Sequence, residues 1–245
     1  TPPHDCACNM DSKLYAFNAV APASATWQSP KEVSDDGRLK HGPAFDMVPG
    51  SSSSPDAWPV LRHDTTRSGA TRTAVPANLE VLWQTPLGTS LTSPVAAGGL
   101  VFVAAAEEQV IHAVEFASGR SRWTHVAGGR VDSPPALWRG LLFFGCGNGW
   151  VTCLRAGDGE LVWRFRAAPE DRRLMGFERV ESLWPVSGSV LVAEGAEDGV
   201  ASNQAVVTCV AGRTPYLDGG TRLLRLDART GRKLSETLLD NEGRG

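Results

Sequence analysis

The chain lacks the features that mark several common functional classes. Its 245 residues contain no apolar run long enough to cross a bilayer as a helix, and its first residues lack the charged start and apolar core of a signal peptide. A net charge of −3 gives no bulk attraction to nucleic acid or to an anionic membrane. No nucleophile elbow, HExxH, P-loop or EF-hand pattern is present. We therefore predict no membrane span and no nucleic-acid partner, and no motif argues for catalysis.

Cysteine is scarce, and its odd count of five argues against a purely intramolecular disulfide framework. His4, Cys6 and Cys8 could offer three soft ligands, but the fourth is missing and the site would be strained, so we predict no metal. Free thiols, or a disulfide with sequence outside this chain, are favoured there. Cys146 and Cys153 stand where alanine stands forty residues earlier, which favours small buried core residues. A cross-strand disulfide between them stays open.

What the sequence does have is a fixed period. Forty residues separate Trp83 from Trp123, and forty more separate Trp123 from Trp163. Two further pairs recur at the same interval: Ser93-Pro94 with Ser133-Pro134, and Ser118-Gly119 with Asp158-Gly159. A period of this size indicates a repeat architecture in which each unit buries its apolar face against its neighbours.

Within each repeat, short apolar segments alternate with turn residues. The predicted strands of the first unit are Leu91–Val95, Leu100–Ala104, Ile111–Phe116 and Arg122–Val126; those of the second include Leu141–Gly145, Val151–Arg155 and Leu161–Phe165. Four strands in forty residues is the size of a propeller blade. The glycine-rich run Gly145–Trp150 could suggest a nucleotide loop, but that motif requires a helix next and a strand pattern follows. We interpret it as a hairpin.

A third unit is stretched by two insertions. Val190 is the best match to Val95 and Pro135, although Trp184-Pro185-Val186 is an alternative. About 15 extra residues fall within 167–184, and about 17 more fall later, including 212–220. In a four-stranded blade both insertions belong to links on one face of the propeller. They are expected to emerge together, either as a binding surface or as a cover with a short helix over 170–180.

The repeat resembles a known family. The segment Ala113–Trp123 resembles the PQQ-type repeat, roughly A-x-D-x-x-T-G-x-x-x-W, and Leu226–Arg232 matches its D-A-x-T-G-K portion. The resemblance covers about residues 58–240, with departures at Arg155, which replaces the acidic residue, and Ser235, which replaces tryptophan. It implies a bacterial β-propeller related to quinoprotein dehydrogenases and outer-membrane assembly lipoproteins, in the periplasm, the cell envelope or outside the cell. It also implies a structural docking role for the tryptophans Trp83, Trp123 and Trp163.

The expected fold is therefore all-β, a partial propeller of about three four-stranded blades. We predict the tail of a preceding domain over residues 1–27, a polar linker over 28–56 and the partial propeller over 57–245. Propellers close with about four to eight blades, so we expect this chain to be a fragment of a longer one. Missing blades of that chain, or a protein partner, are then the expected neighbours.

The predicted function is a non-catalytic binding or scaffolding module of the bacterial cell envelope. One alternative is part of a PQQ-dependent quinoprotein dehydrogenase that oxidises an alcohol or sugar and needs PQQ with calcium. Another is a substrate-recognition propeller within a larger multidomain enzyme. No cofactor and no catalytic residue is assigned. The predicted ligand or partner face comprises Arg172, Arg173, Arg179, Glu181, Trp184, Arg213 and Tyr216.

Overall fold

The computed structural model describes residues 30–47, 57–176, 179–194 and 204–241. The predictions for residues 1–27, with His4, Cys6 and Cys8, lie outside these ranges. Every regular element of the described residues is a β-strand. The described part of the chain holds no helix that is long and apolar enough to cross a membrane.

Three antiparallel sheets follow one another along the chain, each with four consecutive strands in spatial order. The first blade contains β2 (Val95–Ala97), β3 (Leu100–Ala105), β4 (Val110–Glu115) and β5 (Ser121–Val126). The second contains β6 (Ala136–Trp138), β7 (Leu141–Gly145), β8 (Trp150–Arg155) and β9 (Leu161–Arg166). The third contains β12 (Leu191–Glu194), β13 (Ala205–Ala211), β14 (Thr221–Asp227) and β15 (Lys233–Leu239). The predicted all-β fold with four-stranded blades is confirmed.

The backbone repeats as the sequence does, even through the stretched third unit. Pairing of the third strand with the fourth shifts register between Ala113 and Val114, between Cys153 and Leu154, and between Arg225 and Leu226. Strand β12 begins directly after Val190, as β6 begins directly after Pro135. The order and pairing of the four strands are therefore the same in the third blade as in the first two.

Two hydrophobic clusters join the three blades. Phe102 of the first blade packs in one cluster with Leu142 and Phe144 of the second. Phe143 and Trp163 of the second blade share the other cluster with residues of the third. Successive residues of β7 thus point to opposite faces of their sheet, as strand geometry requires, and both faces are covered.

The three described cysteines are buried free thiols, Cys146, Cys153 and Cys209. Cys146 belongs to the cluster between the first two blades, whereas Cys153 belongs to the one between the second and third. The disulfide alternative for this pair is therefore wrong. Burial raises the pKa of the Cys146 and Cys209 thiols to about 12, so both are inert at neutral pH.

The segment predicted as a polar linker contains a strand, β1 (Leu39–His41), which pairs with the outer strand of the second blade. Leu39 lies opposite Phe165, Lys40 opposite Arg164 and His41 opposite Trp163. The sequence did not predict this strand, because the segment is rich in glycine and proline and the strand is only three residues long. Three paired residues are enough to add a strand to the open edge of a sheet. The domain boundary itself stays a prediction.

The helix suggested over 170–180 is wrong, because that segment forms strands β10 (Arg173–Gly176) and β11 (Arg179–Ser182), which pair antiparallel. Leu174 packs against the core cluster, whereas its neighbour Met175 is 55% exposed. This alternation has the period of a strand, and four residues are too few to display it clearly in the sequence.

Candidate partner-binding face

The three periodic tryptophans each contact the following blade in the same way. Their indole N–H groups donate to backbone carbonyls: Trp83 to Phe116 at 2.8 Å, Trp123 to Ala156 at 2.9 Å and Trp163 to Ala228 at 3.1 Å. Each ring also lies against the turn glycine that precedes the last strand: Gly119, Gly159 and Gly231. These contacts join each repeat to the blade that follows it.

The first insertion is anchored by Trp184, whose side chain is fully buried in the core. Its indole N–H donates to the backbone carbonyl of Asp218 at 3.0 Å, which ties the first insertion to the second. The Gly212 N–H donates to the Pro185 carbonyl at 2.9 Å and makes a second tie. Trp184 therefore offers no surface to a partner, and its position explains why the two insertions emerge together.

Ion pairs hold the hairpin in place from two sides. Glu181 accepts from the Arg213 guanidinium at 3.0 Å, and that guanidinium also donates to the Ser182 carbonyl at 3.3 Å. On the other side, Arg179 forms an ion pair with Glu107 of the first blade. These ion pairs connect the β10–β11 hairpin to the first blade on one side and to the third blade on the other.

Of the remaining predicted residues, Arg173 pairs with Asp171 at 3.1 Å in a solvent-exposed contact. The backbone carbonyl of Arg172 accepts from the Leu183 N–H at 2.8 Å, closing the base of the hairpin. Tyr216 lies in the second insertion with 58% of its surface exposed. The structure therefore gathers the predicted residues on two adjoining loops.

The sequence interpretation missed a group contributed by the first two blades. Glu107 also accepts from Arg130 at 2.7 Å, and Arg130 contacts Asp132. The Asp132 hydrogen bond raises the pKa of Arg130 above its ordinary value. Glu107 lies in the turn between β3 and β4, and Arg130 in the link between β5 and β6. The rule that placed the insertions on one face would have placed these loops there too.

Large apolar side chains are exposed beside these ion pairs. Met175 and Val180 are cross-strand partners in the hairpin, 55% and 62% exposed. Leu217 is 44% exposed next to Tyr216. We call the exposed residues of β10, β11 and the loop 212–220 the insertion face. Exposed methionine, tyrosine and aliphatic side chains bordered by arginine are typical of protein interfaces.

The described residues offer no cluster of ligands for the calcium of a PQQ site. Across residues 30–47, 57–176, 179–194 and 204–241, no three His, Cys, Asp or Glu side chains lie close enough together to hold a metal ion. Calcium in proteins takes six to eight oxygen ligands, several of them carboxylates. No catalytic step through such a group follows from these residues.

The fold and its docked tryptophans define a repeat protein built from propeller blades. The sequence profile of the family described as outer membrane protein assembly factor BamB matches residues 70–245, and the chain belongs to this family. No curated protein matches the chain.

Solved structures agree on the fold. A europium-containing methanol dehydrogenase is 14% identical with a TM-score of 0.56, and the match covers 76% of this chain and 32% of that one. Quinohemoprotein alcohol dehydrogenase ADHIIG of Pseudomonas putida HK5 is 13% identical with a TM-score of 0.55, over 78% and 29%. The quinohemoprotein alcohol dehydrogenase of Comamonas testosteroni is 20% identical with a TM-score of 0.52, over 81% and 30%. The chain spans about a third or less of the length of these proteins.

Proposed function

We propose that this chain is a non-catalytic binding module of the bacterial cell envelope that holds a protein partner on the insertion face. The observation that carries the proposal is the exposed apolar surface of an insertion that is itself anchored in the core. A solvated loop gains nothing from exposing Met175, Val180, Tyr216 and Leu217. A rigid scaffold that presents them lowers the entropic cost of binding.

The family to which the chain belongs supports a role in the cell envelope. Its description as an outer membrane protein assembly factor favours a partner among the proteins that assemble the outer membrane, and a place in the periplasm.

The alternative of a quinoprotein dehydrogenase rests on fold likeness alone, and fold does not give function. Adding PQQ and calcium and measuring dye-linked oxidation of alcohols or sugars tests it directly. The alternative of a substrate-recognition propeller in a larger enzyme uses the same face.

Site-specific photo-crosslinking in the bacterial envelope tests the proposal. A photoreactive phenylalanine analogue at Tyr216 is compared with the same analogue at Phe116, which is equally exposed at 58% in a turn of the first blade. We expect a discrete adduct with an outer-membrane assembly protein from position 216 and none from position 116. The double substitution Met175→Asp and Val180→Asp should abolish the adduct. Equal adducts at both positions, or an adduct unaffected by the double substitution, would contradict the proposal.

A further inference from the structure

A pocket of about 460 Å³ lies between the outer strands of the first and second blades. One wall is the end of β5 with His125, and the other is the face of the second blade that carries Trp150, Thr152 and Arg164. Lys40 closes the outer side from β1, and Arg173 approaches from the hairpin. Of the residues that line the pocket, only Arg173 belongs to the insertion face, so the proposal for this pocket does not rest on the proposed function.

The pocket contains an uncompensated pair of positive charges. Lys40 and Arg164 lie directly opposite each other in the register of β1 and β9, so their side chains share one face of the sheet. Like charges at such positions destabilise the pairing. Among the described residues, no carboxylate forms an ion pair with either of them, and the one carboxylate lining the pocket, Asp171, pairs with Arg173.

Trp150 only partly compensates these charges. Its ring lies 4.7 Å from the Arg164 guanidinium carbon and 5.7 Å from the Lys40 Nζ. A cation–π contact is attractive but leaves the net charge in place. The indole therefore holds two cationic groups close together without neutralising them.

Thr152 adds a hydroxyl to the pocket, whereas His125 and Asn148 are engaged by the backbone. Thr152 is the register partner of Arg164 on the inner side and brings a hydroxyl to the same face. Burial lowers the pKa of His125 below its ordinary value, against the opposing effects of the Gly159 backbone and Glu160. Asn148 is held at the rim, with its amide donating to the Gly128 carbonyl at 3.2 Å.

We propose that this pocket binds a small organic anion, with a phosphate or carboxylate group held between Lys40 and Arg164. Both oxyanions accept charge-assisted hydrogen bonds from an ammonium and from a guanidinium, which binds them through two parallel N–H groups. The volume accommodates a molecule of the size of a sugar phosphate or a sugar acid. An anion bound between Lys40 and Arg164 offsets the repulsion between their charges.

Isothermal titration calorimetry on the 245-residue chain tests this proposal. The probes are inorganic phosphate, glucose 6-phosphate and glucuronate, with glucose as the neutral control. We expect binding of at least one anion, no binding of glucose, and weaker binding at high salt. The phosphate and carboxylate probes show which oxyanion is preferred. Absence of binding by all three anions at low salt would overturn the proposal.

Substitutions locate the binding. Lys40→Gln and Arg164→Gln should each weaken it about tenfold or more, because each removes a charge-assisted hydrogen bond. Arg120→Gln, in an exposed turn of the first blade, is the matched control and should bind as the parent chain does. Equal affinity of Lys40→Gln, Arg164→Gln and Arg120→Gln would overturn the proposal.

A stability measurement separates lost binding from lost folding. Lys40→Glu places opposite charges across β1 and β9, so it should abolish anion binding while raising the melting temperature of the free chain by up to about 4 °C. The parent chain should in turn be stabilised by the anion, and this variant should not. A variant that loses binding together with stability would indicate a structural role for Lys40 and overturn the proposal.

Discussion

Glu236 lies among three basic side chains where the segment 30–47 meets the third blade. Its carboxylate accepts from Arg38 at 2.8 Å, Arg222 at 2.9 Å and Lys233 at 3.0 Å, and the side chains of Arg38 and Arg222 are 0% and 2% exposed. Burial by itself would raise the pKa of Glu236, but the hydrogen bonds and charge of Arg38, with those of the other two, outweigh it. The pKa is therefore held below its ordinary value.

This arrangement predicts a specific loss of stability in acid. A carboxyl group with a lowered pKa binds fewer protons folded than unfolded, so its contribution is full above the ordinary glutamate pKa of 4.5 and is lost as the pH falls through the folded pKa. Glu236→Gln should cost about 3 kcal/mol at neutral pH, because it leaves the buried Arg222 without its carboxylate partner and the buried Arg38 with only the exposed Asp35. The difference from the parent chain should shrink below about pH 4.5 in urea denaturation. Glu80→Gln, at an exposed position, is the control, and parallel curves for parent and Glu236→Gln would contradict the assignment.

The turn between β8 and β9 offers a paired test of the tryptophan contacts. Gly159 has φ +75°, and a Cβ there would lie 2.7 Å from the Trp123 ring, whereas a Cβ at Gly157 would meet nothing within 4 Å. Gly159→Ala should lose roughly 1–3 kcal/mol of unfolding free energy through backbone strain and displaced packing. Gly157→Ala should change it by no more than about 0.5 kcal/mol. Chemical denaturation measures both, and similar losses would show that the close approach of Trp123 does not matter.

At the scale of elements, the sequence predicted the strands of the repeats best. The strands of the first two blades fall within a few residues of their predicted positions, because Trp123, Trp163 and the turn glycines mark the same points in each repeat. Two short elements escaped detection. Strand β1 pairs with a strand more than one hundred residues away, and strands β10 and β11 contain only four residues each. Non-local pairing and short length leave no period for a sequence to display.

The sequence also predicted the candidate site in part. The forty-residue period located both insertions in the sequence. The two loops that it identified do carry Arg179, Glu181, Arg213 and Tyr216. It could not distinguish a surface aromatic from an anchoring one, so Trp184 was placed on the face although its ring is in the core. Burial of a tryptophan depends on what packs over it, which here is a loop from another blade.

At the scale of the whole molecule, the second blade differs from the other two because it has a fifth strand. Its outer strand, β9, is covered by β1, and the Arg166 N–H donates to the Arg38 carbonyl at 2.9 Å. The outer strands of the first and third blades, β5 and β15, have a neighbour on one side only among the described residues. In repeat proteins, stability is set by such nearest-neighbour contacts.

Hydrogen exchange should report this difference, with the equivalent strands β5 and β15 as internal controls for β9. Amides of β9 should exchange more slowly than those of β5 and β15, because opening β9 requires loss of β1 as well as of the neighbouring ladder. Arg38→Gln removes the side-chain bonds to the Arg166 and Ala167 carbonyls and to Glu236, and so loosens the cover. In that variant, exchange in β9 should accelerate toward the rate of β5, while exchange in β3 and β4 stays unchanged. If β9 already exchanges as fast as β5 in the parent chain, β1 contributes no protection, and segment 30–47 does not stabilise the second blade.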